Sequence, residues 1–333
     1  MIVRQGNYTL KLTSHPSIIG NAAVAGKTEG EGPLKNEFDC VFSDDTLGES
    51  SFEKAESALQ REAILRALDK AGKTPSDIDY ILAGDLLNQC IGTSFGIREF
   101  GIPFLGLYGA CSTMALSLGL ASVLVEAGAA RTAIASTSSH YCSAERQFRQ
   151  PLEYGGQRPQ TAQRTATAAG ASVVSAHSQN KPSVAAVTFG KIMDLGIKDA
   201  NNMGAAMAPA AAETISAFFE DTATNPDDYD LVLTGDLGKV GSSLVLDLLQ
   251  KDHNLDISKL HNDCGLLIYD LEKQDVHAGG SGCGCSASVL CGHILNRMAR
   301  GELRSILFMA TGALMSTTSS QQGESIPGIA HLL

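Results

Sequence analysis

The sequence has no tryptophan, 5% aromatic residues and only 18% charged residues. It also lacks any apolar run of about 18 residues or more, which excludes a membrane-spanning helix of ordinary length. Low-complexity tracts are absent, and with them the composition of a disordered chain. The net charge of -11 argues against nucleic acid or an acidic lipid surface as the main partner. Residues 1–20 lack the charged start and apolar middle of a secretory signal, so a soluble, unexported protein is expected, with any membrane association peripheral. The eight cysteines are expected as reduced thiols. Cys283-Gly-Cys285 with Cys291 lacks the two-residue spacer and second ligand pair of a zinc site, so no metal is expected.

What is present is an internal repeat. Asp77-Ile-Asp-Tyr-Ile-Leu-Ala-Gly-Asp-Leu86 recurs as Asp228-Tyr-Asp-Leu-Val-Leu-Thr-Gly-Asp-Leu237, with six of ten positions identical at an offset of 151. Pro75 and Pro226 keep that offset, as do Ile64 and Ile215. A duplicated unit points to a ligand cleft where the halves meet. The 333 residues, 44% hydrophobic, suffice for two subdomains of about 150 residues each.

Residues 1–50 are rich in turn formers and read as a lead-in loop. Residues 51–178 form the first half and 179–333 the second, with a seam near the polar stretch His177–Pro182. In the first half, Ser50 and Glu53 form a capping box for a helix to about Ala71. Tyr80–Ala83, Phe104–Tyr108 and Arg131–Ser136 read as strands, and Met114–Glu126 as a helix. In the second half, Val184–Phe189, Leu231–Thr234, Leu266–Tyr269 and Ser305–Ala310 read as strands. Ala208–Phe219, with Pro209 in its first turn, and Ser288–Met298 read as helices. The alternation predicts an α/β fold with parallel or mixed sheets covered by helices.

Gly109-Ala-Cys-Ser-Thr113 lies between a buried strand and an apolar helix. A cysteine at a helix N-terminus meets the positive end of the backbone dipole, which favours thiolate. The plainer alternative is a small core residue at a tight turn. The two repeated halves, this Cys111 turn and the Gly-rich turn Gly279-Gly-Ser-Gly-Cys-Gly-Cys-Ser286 resemble the thiolase-like superfamily, which implies an α-β-α-β-α layering. The resemblance places Cys111 at the position of the condensing enzymes' nucleophile. Their histidine position is occupied by Thr234-Gly235-Asp236, and residues 279–288 contain neither asparagine nor histidine. A single oxyanion donor contributes roughly 3–4 kcal/mol to such catalysis, and a carboxylate at Asp236 repels a developing anion. The resemblance therefore implies a non-catalytic member of an enzyme fold, with no cofactor.

Longer strings carry a closer resemblance. Ala83-Gly-Asp-Leu-Leu-Asn-Gln89, Ser138-Ser-His-Tyr-Cys-Ser-Ala-Glu-Arg-Gln-Phe-Arg149, Glu153-Tyr-Gly-Gly156, Met207-Ala-Pro-Ala-Ala211, His261-Asn-Asp-Cys-Gly265 and Glu324-Ser-Ile-Pro327 resemble the stage V sporulation protein AD family over nearly the whole chain. That resemblance implies binding of dipicolinate (pyridine-2,6-dicarboxylate), free or as its calcium chelate, for uptake into the developing spore. It also implies a peripheral place on the forespore or spore inner membrane, beside other stage V sporulation membrane proteins of the uptake channel. Relatives of the fold often form dimers, which makes a homodimer an expectation.

A flat dianion calls for paired cations around an apolar slot. Residues 138–164 contain His140, Arg146, Arg149, Arg158 and Arg164 against Glu145 and Glu153, and arginine suits bidentate carboxylate binding. The candidate ligand-binding residues are Cys111, Ser139, His140, Arg146, Arg149, Asp236 and Cys283. Asp85 and Asp236, equivalent in the repeat, either cap the helix or turn after their strands or reach the ligand's calcium. Two rival functions stay open: a Cys111-dependent acyltransferase or condensing enzyme, and a scaffold of a spore membrane complex that binds no small molecule.

Overall fold

A computed structural model describes residues 1–148 and 158–333. Two mixed sheets repeat one plan. In the first, strand order is Cys40–Val41, Ser17–Ala25, Ala168–Ser175, Thr132–Ser139, Tyr80–Gly84, Phe104–Gly106. In the second it is Ile2–Gln5, Thr9–Leu12, Ala186–Phe189, Gly328–Leu332, Ile306–Ala313, Leu231–Thr234, His261–Asp263. Tyr80–Gly84 and Leu231–Thr234, the two copies of the repeated phrase, each run parallel to both neighbours. The next pairings along each sheet are antiparallel. The repeated sequence thus fixes the same strand at the same place in two sheets.

Helix Thr113–Glu126 and the helical stretch from Cys283 to Ala299 pack between the sheets. Helix Phe52–Ala71 covers the outer face of the first sheet, and helices Met203–Thr222 and Gly238–His253 lie outside the second. This is the five-layered α-β-α-β-α arrangement. Leu118, Val187, Leu233, Ile268, Leu290 and Phe308 belong to one continuous apolar cluster of the central layers.

Several sequence expectations are corrected. Residues 1–50 are not a loop: Ile2–Gln5, Thr9–Leu12 and Ser17–Ala25 are strands, the first two in the sheet of the second half. The small residues of Ser17–Ala25 carry a weak strand pattern, and pairing along Ala168–Ser175 supplies the burial; the first two strands are only four residues each. The first long helix is capped by Ser51, one residue later than expected. Leu266–Tyr269 is not a strand. The strand is His261–Asp263, and Asp263 caps a short helix, Cys264–Leu267, by accepting from the Gly265 amide. Helix Met203–Thr222 starts at an Asn202 cap, so Pro209 sits inside it. The second central helix begins at Cys283 and widens into a π turn over Val289–Ile294.

Close approach of the halves depends on Gly312. A side chain there meets the Gly109 carbonyl at 2.3 Å, so strand Ile306–Ala313 touches the cysteine turn only because Cβ is missing. Gly312→Ala should lower stability by about 1–3 kcal/mol through overpacking. Gly106→Ala, whose nearest contact is 3.3 Å on an edge strand, should cost far less. Urea unfolding of both variants measures the difference.

Candidate functional site around Cys111

The turn that carries Cys111 is tight and internally bonded. Ser112 Oγ donates to the Gly109 carbonyl (2.6 Å), Thr113 Oγ1 donates to the Ala110 carbonyl (2.7 Å), and the Gly109 amide donates to Thr113 Oγ1 (3.1 Å). Ala110 takes a left-handed conformation (φ 50°), a strained choice for a residue with a side chain. Cys111 is thereby turned inward, 5% exposed, toward the second half.

There its thiol meets Asp236. The Asp236 carboxylate accepts from Ser281 Oγ (3.1 Å), the Gly282 amide (2.9 Å) and Thr311 Oγ1 (2.8 Å), and it lies near enough for its charge to act on the Cys111 thiol. Gly282 is held at φ 100°, and a side chain on it would lie 2.7 Å from Ser139 Oγ. Burial raises the Asp236 pKa although these donors oppose the rise. Burial, and then the Asp236 charge, drive the Cys111 thiol well above its ordinary value. The expectation of a dipole-favoured thiolate is therefore overturned: desolvation and a neighbouring carboxylate outweigh the helix terminus. Behind Asp236 lies a second buried acid, Asp263. It accepts from Thr234 Oγ1 (2.6 Å) and from the amides of Leu237 (2.9 Å), Gly238 (3.0 Å) and Gly265 (3.0 Å). Burial, with the charge of Asp236, pushes its pKa up to about 6.

Beside Cys111 is a cavity of about 30 Å³, walled by Leu86, Tyr108, Ala144, Phe148, Met203 and Met315 with Glu145, Thr165 and Ser281. It has room for a few waters at most. No histidine or asparagine lines it among the described residues.

Of the candidate residues, Cys111, Asp236 and Cys283 come together, with Ser139 against the same glycine turn. Cys283 is fully buried and donates its thiol to the Ser138 carbonyl at 3.0 Å. Ser139 Oγ donates to the Ala166 carbonyl (2.7 Å) and accepts from the Gly284 amide (3.1 Å). The others do not join them. His140 accepts the Cys142 amide on Nδ1, donates from Nε2 to the Asp45 carbonyl (2.7 Å), and stacks near Phe52. Arg146, on helix Tyr141–Phe148, pairs with Glu53 on a separate surface groove. Arg158 donates to the Gln163 and Asp275 carbonyls, and the Arg164 guanidinium lies 3.9 Å above the Tyr141 ring. The expected gathering of arginines beside Cys111 is thus corrected for Arg146, Arg158 and Arg164: helix Tyr141–Phe148 carries Arg146 to Glu53, and the other two are engaged by the Gln163 and Asp275 carbonyls and by the Tyr141 ring. Arg149 and Glu153 lie outside the described residues.

Sequence reading missed Ser281, Thr311 and Asp263 as partners of this cluster. Only Asp263 gave a signal, as part of the string His261–Gly265. Asp85, the first-half counterpart of Asp236, accepts from the Leu87 and Thr93 amides. It lies near Glu56, whose pKa burial and the Asp85 charge push upward. All eight cysteines are unpaired, and the described residues contain no cluster of metal-ligating side chains. No helix among them is long and apolar enough to cross a membrane.

Asp263 gives the cluster a pH signature. A carboxyl with a raised folded pKa binds its proton more tightly when folded. Its favourable contribution is therefore full below the unfolded value of 3.8 and is lost as pH rises through about 6. Between about pH 4 and 7, the wild type should lose of order 3 kcal/mol more stability than Asp263→Asn. Urea unfolding at stepped pH checks this, and parallel curves would contradict it.

A profile of the family described as Stage V sporulation protein AD matches residues 6–333. Stage V sporulation protein AD of Bacillus subtilis (strain 168) is 48% identical over 318 residues, covering 95% of this chain and 93% of that protein. Among solved structures, 3-oxoacyl-[acyl-carrier-protein] synthase III from Aquifex aeolicus VF5 is similar at a TM-score of 0.56 and 13% identity. The match covers 95% of this chain and 99% of that one. OleA from Xanthomonas campestris, solved with cerulenin, is similar at a TM-score of 0.59 and 13% identity, over 96% of each chain. At that identity the likeness shows the fold, which is thiolase-like. The chain belongs to the stage V sporulation protein AD family, a sporulation protein built on the fold of condensing enzymes.

Proposed function

We propose that this chain is a non-catalytic binding protein for dipicolinate, taken as its calcium chelate, and serves its uptake into the developing spore. The observation that carries the reading is the Cys111–Asp236 contact. A condensing enzyme needs an ionisable thiol and hydrogen-bond donors for a developing oxyanion. Here the thiol is held neutral against a buried acceptor. Such a pocket suits holding a ligand better than attacking one.

Electrostatics favours the chelate over the free dianion. Glu145 lines the cavity and Asp236 backs it, so a bare dicarboxylate meets like charge, whereas calcium cancels the ligand's charge and seeks carboxylate oxygens. The cavity must widen to admit a ring, by outward rotation of Phe148 and Met315. The peripheral place on the spore inner membrane and the partnership with other stage V membrane proteins belong to the same proposal.

Titration calorimetry tests it. The 2,6-dicarboxylate with calcium should give saturable heat, and the 2,4-isomer should bind at least about tenfold more weakly. Ala144→Leu, which overfills the cavity, should abolish the signal at a cost of about 1–3 kcal/mol in stability, with urea unfolding still cooperative. Absence of heat with either isomer would favour the scaffold. A Cys111 acyl adduct that turns over with acyl-CoA would instead establish the enzyme.

A second copy of the chain is proposed for the free edge of the first sheet. Among the described residues, strand Phe104–Gly106 has a neighbour on one side only, and Leu105 and Tyr108 beside it are 41% and 45% exposed. Unprotected apolar edges favour strand pairing. Sedimentation should report twice the chain mass, and Leu105→Asp should halve it. A monomeric wild type would remove the dimer.

A further inference from the structure

The cavity beside Cys111 has five polar residues in its wall: Tyr108, Cys111, Glu145, Thr165 and Ser281. Four of them leave it no strong donor. Thr165 Oγ1 donates to the Glu145 carboxylate (3.1 Å), and Ser281 Oγ donates to Asp236 (3.1 Å). Glu145 brings acceptor oxygens, and the thiol of Cys111 is a weak donor by nature. Tyr108 differs from all of these. Among the described residues, no partner meets its hydroxyl.

The chain turns that hydroxyl inward. The Leu107 amide donates to the Ala83 carbonyl (2.9 Å) and so prolongs the edge strand, and Tyr108 follows at once, three residues before Cys111. Part of its ring lies at the surface. The groups near enough to act on the phenol are nevertheless interior: the thiols of Cys111, Cys283 and Cys90, and the Asp85 carboxylate. None of them is an open acceptor. The Cys283 thiol donates to the Ser138 carbonyl and the Cys90 thiol to the Leu107 carbonyl (3.3 Å), and sulfur accepts weakly. Asp85 is met by the amides of Leu87 (2.8 Å) and Thr93 (2.6 Å). Burial, and then the neighbouring thiols, raise the Tyr108 pKa, so the phenol keeps its proton at neutral pH. A tyrosine hydroxyl turned into a protein ordinarily finds a partner, because leaving it unpaired is costly. Tyr108 thus holds a neutral donor ready at the wall of a cavity otherwise supplied with acceptors.

We infer that Tyr108 is the residue that recognises the ligand's carboxylate, its hydroxyl donating to an oxygen that calcium leaves free. This rests on the reading of the cavity as the site for calcium dipicolinate. In that chelate the ring nitrogen and one oxygen of each carboxylate hold the metal, and the second oxygen of each points outward. Calcium seeks carboxylate oxygens such as those of Glu145. The outward oxygens need a donor instead, and a bond to a charged oxygen is stronger than one between neutral groups. Glu145 and Tyr108 then divide the ligand between them, one facing its metal and the other its carboxylate.

Titration calorimetry of the full chain with calcium and dipicolinate tests this by changing one side chain. Tyr108→Phe keeps the ring and removes the donor, and should weaken binding at least about tenfold. Its urea unfolding and its sedimentation should match the wild type, because the lost hydroxyl bonds to nothing in the free protein. Tyr108→4-aminophenylalanine restores an N–H donor at the same place, and should return the affinity to within about threefold of wild type. Equal binding by wild type and Tyr108→Phe would overturn the inference and leave the dipicolinate reading intact. Equal losses in both variants would also overturn it, marking the ring as wall packing alone. Absence of heat with the wild-type chain would remove the dipicolinate reading and this inference with it.

Discussion

A single buried carboxylate ties the two halves together. Asp236 follows strand Leu231–Thr234, next to the edge of the second sheet. Its donors come from the turn at residues 281–282 and from Thr311 on the neighbouring strand, and the first-half Cys111 lies within reach of its charge. A carboxylate taken out of water is costly unless each lone pair is met. That requirement fixes how closely the Cys111 turn, the glycine turn and strand Ile306–Ala313 approach one another. Gly312 packs against the Gly109 carbonyl and Gly282 against Ser139, and neither has room for a side chain. Stability and function therefore draw on the same few atoms.

The arrangement also inverts the electrostatics of the enzymes whose fold it shares. A nucleophilic cysteine needs positive surroundings to shed its proton. Cys111 has a carboxylate beside it and a second, Asp263, behind that one. Cys283, Cys264 and Cys285 are likewise pushed upward by burial, with Asp236 adding to the rise in each. The same field discourages a free dianion and accommodates a cation or a neutral chelate. On the proposed reading, a fold shared with condensing enzymes serves here for holding a ligand, and the change rests on the sign of the charge facing one sulfur.

Much of the plan could be read from the residues alone, and the reasons are specific. The repeated phrase marks the parallel centre of each sheet because a strand buried on both faces is a short apolar run ended by glycine and aspartate. Asp236 was legible through the same repeat. The strands within residues 2–25 were not, because Ile2–Gln5 and Thr9–Leu12 are only four residues long, the alanines, glycine and serine of Ser17–Ala25 carry little strand signal, and the turn formers after them dominate the composition. Leu266–Tyr269 misled because a short apolar run does not distinguish a strand from one turn of helix. The arginines misled for another reason. Their density is visible in the sequence, but their direction is set by helix Tyr141–Phe148 and by partners as distant as Glu53 and Asp275. Ser281 and Thr311 are ordinary hydroxyl residues, and only the folded chain aims them at Asp236.

The most direct test is the pH profile of Cys111 alkylation, followed by mass spectrometry of the peptide that contains it. If Asp236 and burial hold the thiol neutral, modification by iodoacetamide should be slow at neutral pH and still rising above about pH 9, where an ordinary thiol levels off. A fast rate already on its plateau near neutral pH would identify an activated thiolate. That result would contradict the reading of this pocket as a site that binds without reacting.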